Sequence, residues 1–161
     1  MLIEFSIKNF RSIKDNITFS MVATKDKTLD DNIIKNILKN DSLLKSAVIY
    51  GANASGKTNI LLALEMLKEL VLNSHNYQKG QKILFNPFKL DKESLDNATQ
   101  LQIVFIKKKI KYIYTVSFNS ERIVGETLWH YPNNKKAVLF ERKNDDYKFT
   151  KDEKDQEFIA K

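Results

Sequence analysis

Gly51-Ala52-Asn53-Ala54-Ser55-Gly56-Lys57-Thr58 fills every fixed position of the pattern G-x-x-x-x-G-K-[ST]. Each fixed residue has a chemical reason to be there. The two glycines let the backbone curl so that successive N–H groups point inward at phosphate oxygens. Lys57 supplies a point charge to the β- and γ-phosphates, and the Thr58 hydroxyl is placed to bind Mg²⁺. A helix starting at this point adds the positive end of its dipole. Only four glycines occur in the chain and two of them lie in this loop. At average glycine usage a chain of this length would match by accident in roughly one case in a hundred or fewer.

The context test for the motif is a strand before it and a helix after it. Upstream, Ala47-Val48-Ile49-Tyr50 is a short apolar run ending at Gly51, which predicts a buried strand. Downstream, Ile60, Leu61, Ala63, Leu64, Met66, Leu67, Leu70 and Val71 recur near helical spacing, while Glu65, Lys68 and Glu69 fall on the other side. The pattern predicts a helix from about Gly56 to Leu72, fraying at Asn73-Ser74.

The rest of the composition narrows the class. The chain has 161 residues, 42% hydrophobic and 29% charged, which fits a soluble globular domain of ordinary size or part of a larger one. No apolar run approaches the roughly 20 residues that span a membrane. The opening Met-Leu-Ile-Glu-Phe-Ser-Ile reads as a strand rather than a signal peptide. Cysteine is absent, which excludes disulfides and Cys-based zinc sites and suits the cytoplasm. His75 and His130 lie too far apart in sequence to suggest a metal-binding pair. A net charge of +7 is compatible with a nucleic-acid partner. The lysines are spread along the chain, however, and such a Lys/Asn/Ile-rich bias is common in AT-rich genomes.

Taken in order, Ile3, Phe5 and Ile7 alternate with Glu4, Ser6 and Lys8 as a half-buried strand, and Ile17–Val22 alternates again, so the two predict a hairpin or meander. Asn9–Ile13 is a turn between them. Thr24–Ser46 is mostly polar and reads as a short helix or an irregular connection. After the loop and helix, residues 74–82 form a polar linker, Leu84–Leu90 is extended around Pro87, and Asp91–Thr99 reads as a loop. Leu101, Ile103 and Phe105 then alternate with Gln100, Gln102 and Val104. Ile110–Phe118 alternates as well, and Lys107-Lys108-Lys109 makes a solvated turn between the two. Arg122–Tyr131 reads as a further strand. Ala137–Arg142 and Tyr147–Phe149 form a last hairpin around Asn144-Asp145-Asp146, and 151–161 is a charged end. The alternating aromatics Tyr112, Tyr114, Phe118, Trp129 and Tyr131 read as sheet packing rather than as base-stacking platforms.

Three features together resemble a known group: the strand leading into Lys8-Asn9-Phe10-Arg11-Ser12, the loop Gly51–Thr58 followed by Asn59, and an antiparallel section after the loop helix. The chain resembles the N-terminal part of ABC-type ATPase heads in RecF- and SMC-like proteins. It is more similar still to the bacterial AAA-family, ABC-like ATP-binding proteins that include RloA-like and phage-defence or abortive-infection ATPases. Pro87-Phe88-Lys89-Leu90, Arg122-Ile123-Val124 and Leu139-Phe140-Glu141-Arg142 look like that group too. The resemblance implies an α/β P-loop NTPase fold: a mixed sheet with the phosphate-loop helix and an antiparallel β section. It implies one partial domain over 1–161, the N-terminal lobe of a head, with strands, loop and helix in 1–73 and the antiparallel section in 84–150. It implies ATP and Mg²⁺ as cofactors, with Gly51, Asn53, Ala54, Ser55, Gly56, Lys57, Thr58 and Asn59 at the nucleotide. Lys57 is then the catalytic lysine and Thr58 the metal ligand, with Arg11 and Ser12 in a turn beside the nucleotide. In the full protein it implies a head-to-head homodimer, or a partner ATPase or effector subunit, in the cytoplasm.

The chain departs from complete heads in respects that bear on chemistry. No apolar run ends in Asp-Glu; Val104-Phe105-Ile106 runs into lysine. The signature motif, D-loop and switch histidine are not recognisable, and Gln100 and Gln102 are the weak choices for a magnesium-contacting glutamine. Hydrolysis needs a positioned water and a charge clamp. The expectation is therefore ATP binding with negligible hydrolysis by this segment alone, and an ATPase only where the missing motifs are supplied. The alternatives are a non-hydrolysing nucleotide-sensing module and a basic nucleic-acid-binding domain. A GTPase is disfavoured because Asn133-Asn134-Lys135-Lys136 lacks the acid of a guanine-reading loop. A small-molecule kinase is disfavoured by the β-rich section.

Overall fold

The computed structural model describes residues 1–26, 28–38, 41–73, 76 and 81–150. Most of the linker at 74–82 and all of the charged end at 151–161 therefore lie outside the described residues, as does His75.

Strands β1 (Leu2–Lys8) and β2 (Ile17–Ser20) open the chain, followed by β3 (Ile33–Leu38) and β4 (Asp41–Leu44). Helix α1 (Lys57–Asn73) and the short α2 (Lys92–Asp96) come next. Strands β5 (Thr99–Lys107), β6 (Ile110–Phe118), β7 (Ile123–His130), β8 (Ala137–Lys143) and β9 (Asp146–Phe149) complete it. A seven-stranded sheet runs in the order β2-β1-β5-β6-β7-β8-β9, and β3 and β4 make a separate hairpin. Every strand pairing among the described residues is antiparallel, where a mixed sheet was expected.

The β5–β6 hairpin shows why the alternation folds this way. Nine residues of each strand pair without a slip, from Thr99↔Phe118 to Lys107↔Ile110. Lys108 and Lys109 form the two-residue turn, both at positive φ (50° and 64°). Positive φ at both central positions is what the twist of a tight hairpin demands. The turn is thus imposed on two lysines by long, well-patterned strands rather than by Asn-Gly chemistry.

Both faces of the sheet are covered in places. On one, Phe5, Ile7, Leu101, Val116 and Phe118 pack with Ala63, Met66, Leu67 and Leu70 of α1. Ile83 joins this cluster, and Phe85 meets the Phe118 ring edge-on at 6.5 Å. On the other face, Ile3, Val104 and Ile106 cluster with Leu43 of β4. A register irregularity between Leu2 and Glu4 turns Ile3 to that second face while Phe5 and Ile7 keep the first. Burying one such side chain contributes about 1.5–3 kcal/mol.

Three expectations are corrected. Thr24–Ser46 holds the β3–β4 hairpin, entered through a 3-10 turn at Asp30–Asn32, because Ile37 and Leu43 have the second face of the sheet to cover. Asp91–Thr99 contains α2, which the polar run concealed; Ser94 donates its hydroxyl to the Asp91 carboxylate at 2.8 Å and is buried. The third correction concerns Ala47–Tyr50, which is not a strand. It forms no ladder, and Val48 and Tyr50 are 85% and 90% exposed. An apolar run becomes a strand only where a neighbour takes its N–H and C=O groups, and no strand pairs with it among the described residues.

Candidate functional site: the phosphate loop

The loop hangs between β4 and α1. At its entry the side chain of Asn32 acts as a short piece of strand. Its Nδ2 donates to the Ser46 carbonyl at 2.9 Å, and its Oδ1 accepts from the Ser46 N–H at 3.1 Å and hydroxyl at 3.0 Å. The Lys45 N–H donates to the Asn32 carbonyl as well. Within the loop, Ser55 N–H donates to the Ala52 carbonyl at 3.3 Å, and Ala54 takes φ 64°. Gly56 sits at φ 91°, a left-handed conformation that suits glycine. A Cβ there would also lie 3.0 Å from Ser12 Oγ, so the position is closed to side chains twice over. Asn59 N–H donates to the Gly56 carbonyl where α1 begins.

Lys57 is folded into the loop. Its Nζ donates to the carbonyls of Gly51 at 2.8 Å and Ala52 at 2.7 Å. Gly51, Asn53, Ala54, Ser55 and Thr58 are exposed; Gly56, Lys57 and Asn59 are half-buried.

The N-terminal turn meets the loop at one residue. Asn59 Nδ2 donates to Ser12 Oγ at 2.7 Å. The turn itself is pinned from behind by Asn9, which is buried at φ 54°. Asn9 Oδ1 accepts from Phe88 N–H at 3.0 Å, Nδ2 donates to the carbonyls of Ser94 and Asn97, and the Asn9 carbonyl accepts the Thr99 hydroxyl at 2.6 Å. Arg11 N–H donates to the Asn86 carbonyl at 2.7 Å. Lys14 pairs with Asp91 at 3.3 Å. The Ser94 hydroxyl, and then Lys14, hold the Asp91 carboxyl below the ordinary carboxylate value.

Ser12, Ile17, Ile49, Tyr50, Gly56 and Lys57 line a cavity of 520 Å³ on the loop's flank. Arg11 instead lines a 510 Å³ cavity with Asn86, Pro87, Phe88, Lys89 and Leu90, and Ser12 contributes to both walls. The structure thus brings Ser12, Gly56, Lys57 and Asn59 together and gives Arg11 a different neighbourhood. Gln100 and Gln102 lie in a groove along β5–β9 to which the loop contributes nothing, and Gln102 donates to the Thr115 hydroxyl. The anchoring roles of Asn9 and Asn32 escape a reading of the sequence. Their only advance sign is that asparagine tolerates left-handed turns and can mimic backbone pairing.

The donor set fits a phosphate chain: a curled glycine loop, an ammonium at its mouth and a helix N-terminus. It fits Mg²⁺ through the exposed Thr58 hydroxyl. Among the described residues no cluster of three or more His, Cys, Asp or Glu could hold a metal.

Residues 46–158 match the family described as "AAA domain, putative AbiEii toxin, Type IV TA system". The matched stretch takes in the loop, α1, α2 and β5–β9. No curated protein matches the chain. No helix is long and apolar enough to cross a membrane among the described residues. A match over well over half of the chain, with this loop near its start, places the protein in that family of AAA domains: it is an ATP-binding, P-loop NTPase-like domain.

Proposed function

We propose that Gly51–Thr58 binds the triphosphate of ATP and that residues 1–161 are the N-terminal lobe of an ABC-like ATPase head of the RloA-like kind, acting in the cytoplasm in phage defence or DNA transactions. The family's printed description, a putative toxin of a type IV toxin–antitoxin system, supports the defence setting. The observation that carries the binding reading is the curled loop around Lys57, whose ammonium is 2.7–2.8 Å from two loop carbonyls. Phosphate oxygens are stronger partners for an ammonium than neutral carbonyls. Lys57 would therefore swing from the carbonyls to the β- and γ-phosphates, while the loop N–H groups and the start of α1 hold the chain of phosphates. When bound, Mg²⁺ neutralises charge on the phosphate oxygens, and Thr58 would hold it. The 520 Å³ cavity beside the loop offers Ile17, Ile49 and the exposed Tyr50 ring to the base.

Hydrolysis requires a carboxylate to orient water, and no apolar run of the chain ends in Asp-Glu. Residues 1–161 would bind ATP with negligible turnover, and the complete ATPase would form in a head-to-head dimer or with a partner subunit. The test is ATP titration of wild type and Lys57→Ala. Removing the ammonium should weaken binding roughly ten- to hundredfold, the worth of one charge-assisted contact, with the fold intact. Equal affinity in the two proteins would end the binding reading. Turnover at the rate of a complete head, abolished in Lys57→Ala, would end the claim of an incomplete site.

A further inference from the structure

Among the described residues, the hydrogen bonds of 47–56 stay within the loop, apart from those to Lys57 and Asn59 at the start of α1. Ten residues are thus suspended between two fixings outside the loop. One is the side chain of Asn32 on Ser46, upstream. The other is Ser12 on Asn59, downstream, where Ser12 Oγ also stands against the bare Cα of Gly56. The two fixings differ in what stands behind them. Asn32 belongs to a one-turn 3-10 helix beside the small β3–β4 hairpin. Ser12 belongs to a turn locked to 86–99 by the buried Asn9.

We infer that Ser12 and Asn59 are positioning residues: they hold the phosphate loop in its binding shape and do not themselves contact the nucleotide. The geometry favours this because Asn59 Nδ2 is already committed to Ser12 Oγ, at 2.7 Å. The wall Ser12 presents to Gly56 leaves no room for a ligand group between them. A loop pre-shaped by the scaffold loses less conformational freedom when phosphate arrives. The inference rests on ATP binding at this loop.

The experiment compares ATP with inorganic tripolyphosphate, which has no base or ribose, on wild type, Ser12→Ala, Ser12→Thr, Asn59→Ala and the double alanine variant. Hydrogen exchange of the loop amides is followed in the ligand-free proteins. Loss of the anchor should weaken both ligands by the same factor, roughly three- to tenfold. The double variant should be no worse than either single one, because one contact is being removed. Ser12→Thr, which keeps the hydroxyl, should restore binding. Exchange at Gly51–Gly56 should speed up in Ser12→Ala and Asn59→Ala with no ligand present. A loss for ATP with none for tripolyphosphate would overturn the inference and make these residues nucleoside contacts. Additive losses, or unchanged exchange, would overturn it as well. Were wild type to bind neither ligand, the ATP reading would fail, while the exchange result would still decide whether Ser12 holds the loop.

Discussion

The β5–β6 hairpin and the run Ala47–Tyr50 are both apolar, strand-forming sequence, and they end in opposite states. In the hairpin, Leu101, Val116 and Phe118 are fully buried, and nine residue pairs lie in register. In the run, Val48 and Tyr50 stand almost wholly in solvent. Composition does not separate them; neighbours do. The hairpin has β1 and β7 to complete its ladder and α1 to cover it. The run pairs with no strand among the described residues. Strand propensity states a surface's suitability for pairing, not its possession of a partner.

The contrast can be tested with substitutions of decreasing effect. Phe118→Ala should cost about 3–5 kcal/mol in denaturant unfolding, the range for a fully buried aromatic. A loss under about 1 kcal/mol would mean that the sheet collapses around the gap. Tyr114 gives a smaller effect with a pH signature. Its hydroxyl donates to Glu126 at 2.6 Å; burial first, and then the Glu126 carboxylate, push its phenol well above the ordinary value. A raised pKa favours the protonated form in the folded state. That stabilisation is therefore present below the unfolded value of about 10 and fades as pH rises beyond it. Tyr114→Phe should cost about 1 kcal/mol at neutral pH and flatten the decline in stability above about pH 10. Equal alkaline slopes for the two proteins would remove the raised Tyr114 phenol, from burial and Glu126 together, from the account. At the bottom of the scale, Val48→Ser and Tyr50→Ser should each change stability by no more than about 0.5 kcal/mol. A substantial loss at either would show that the run is paired in solution.

Legibility follows the same line. The strands from β5 to β9 could be read in advance from their runs of β-branched, aromatic and alternating residues bounded by polar turns. The loop could be read because its chemistry allows few substitutes for Gly56, Lys57 and Thr58. What resisted reading depended on contacts distant in sequence. Asp91–Asp96 looks like a loop until Ser94 is seen donating to Asp91. The β3–β4 hairpin looks irregular until Leu43 is found beneath Val104 and Ile106. Arg11 and Ser12 are adjacent in the chain, yet Ser12 alone meets Asn59, because φ 52° at Arg11 bends the turn. Tyr50 is exposed although its run is apolar, because apolarity alone supplies no strand to pair with.

The pairing of β1 with β5 also orders events in time. Ile7 faces Leu101, and Asn9 closes on Thr99, partners about ninety residues downstream. Closing so long a segment is slow relative to forming a local hairpin. A ribosome adding about 5–20 residues each second finishes the phosphate loop well before it makes the strand that fixes the turn carrying Ser12. The nascent chain thus holds every residue of the phosphate loop for seconds before the turn carrying Ser12 can be fixed.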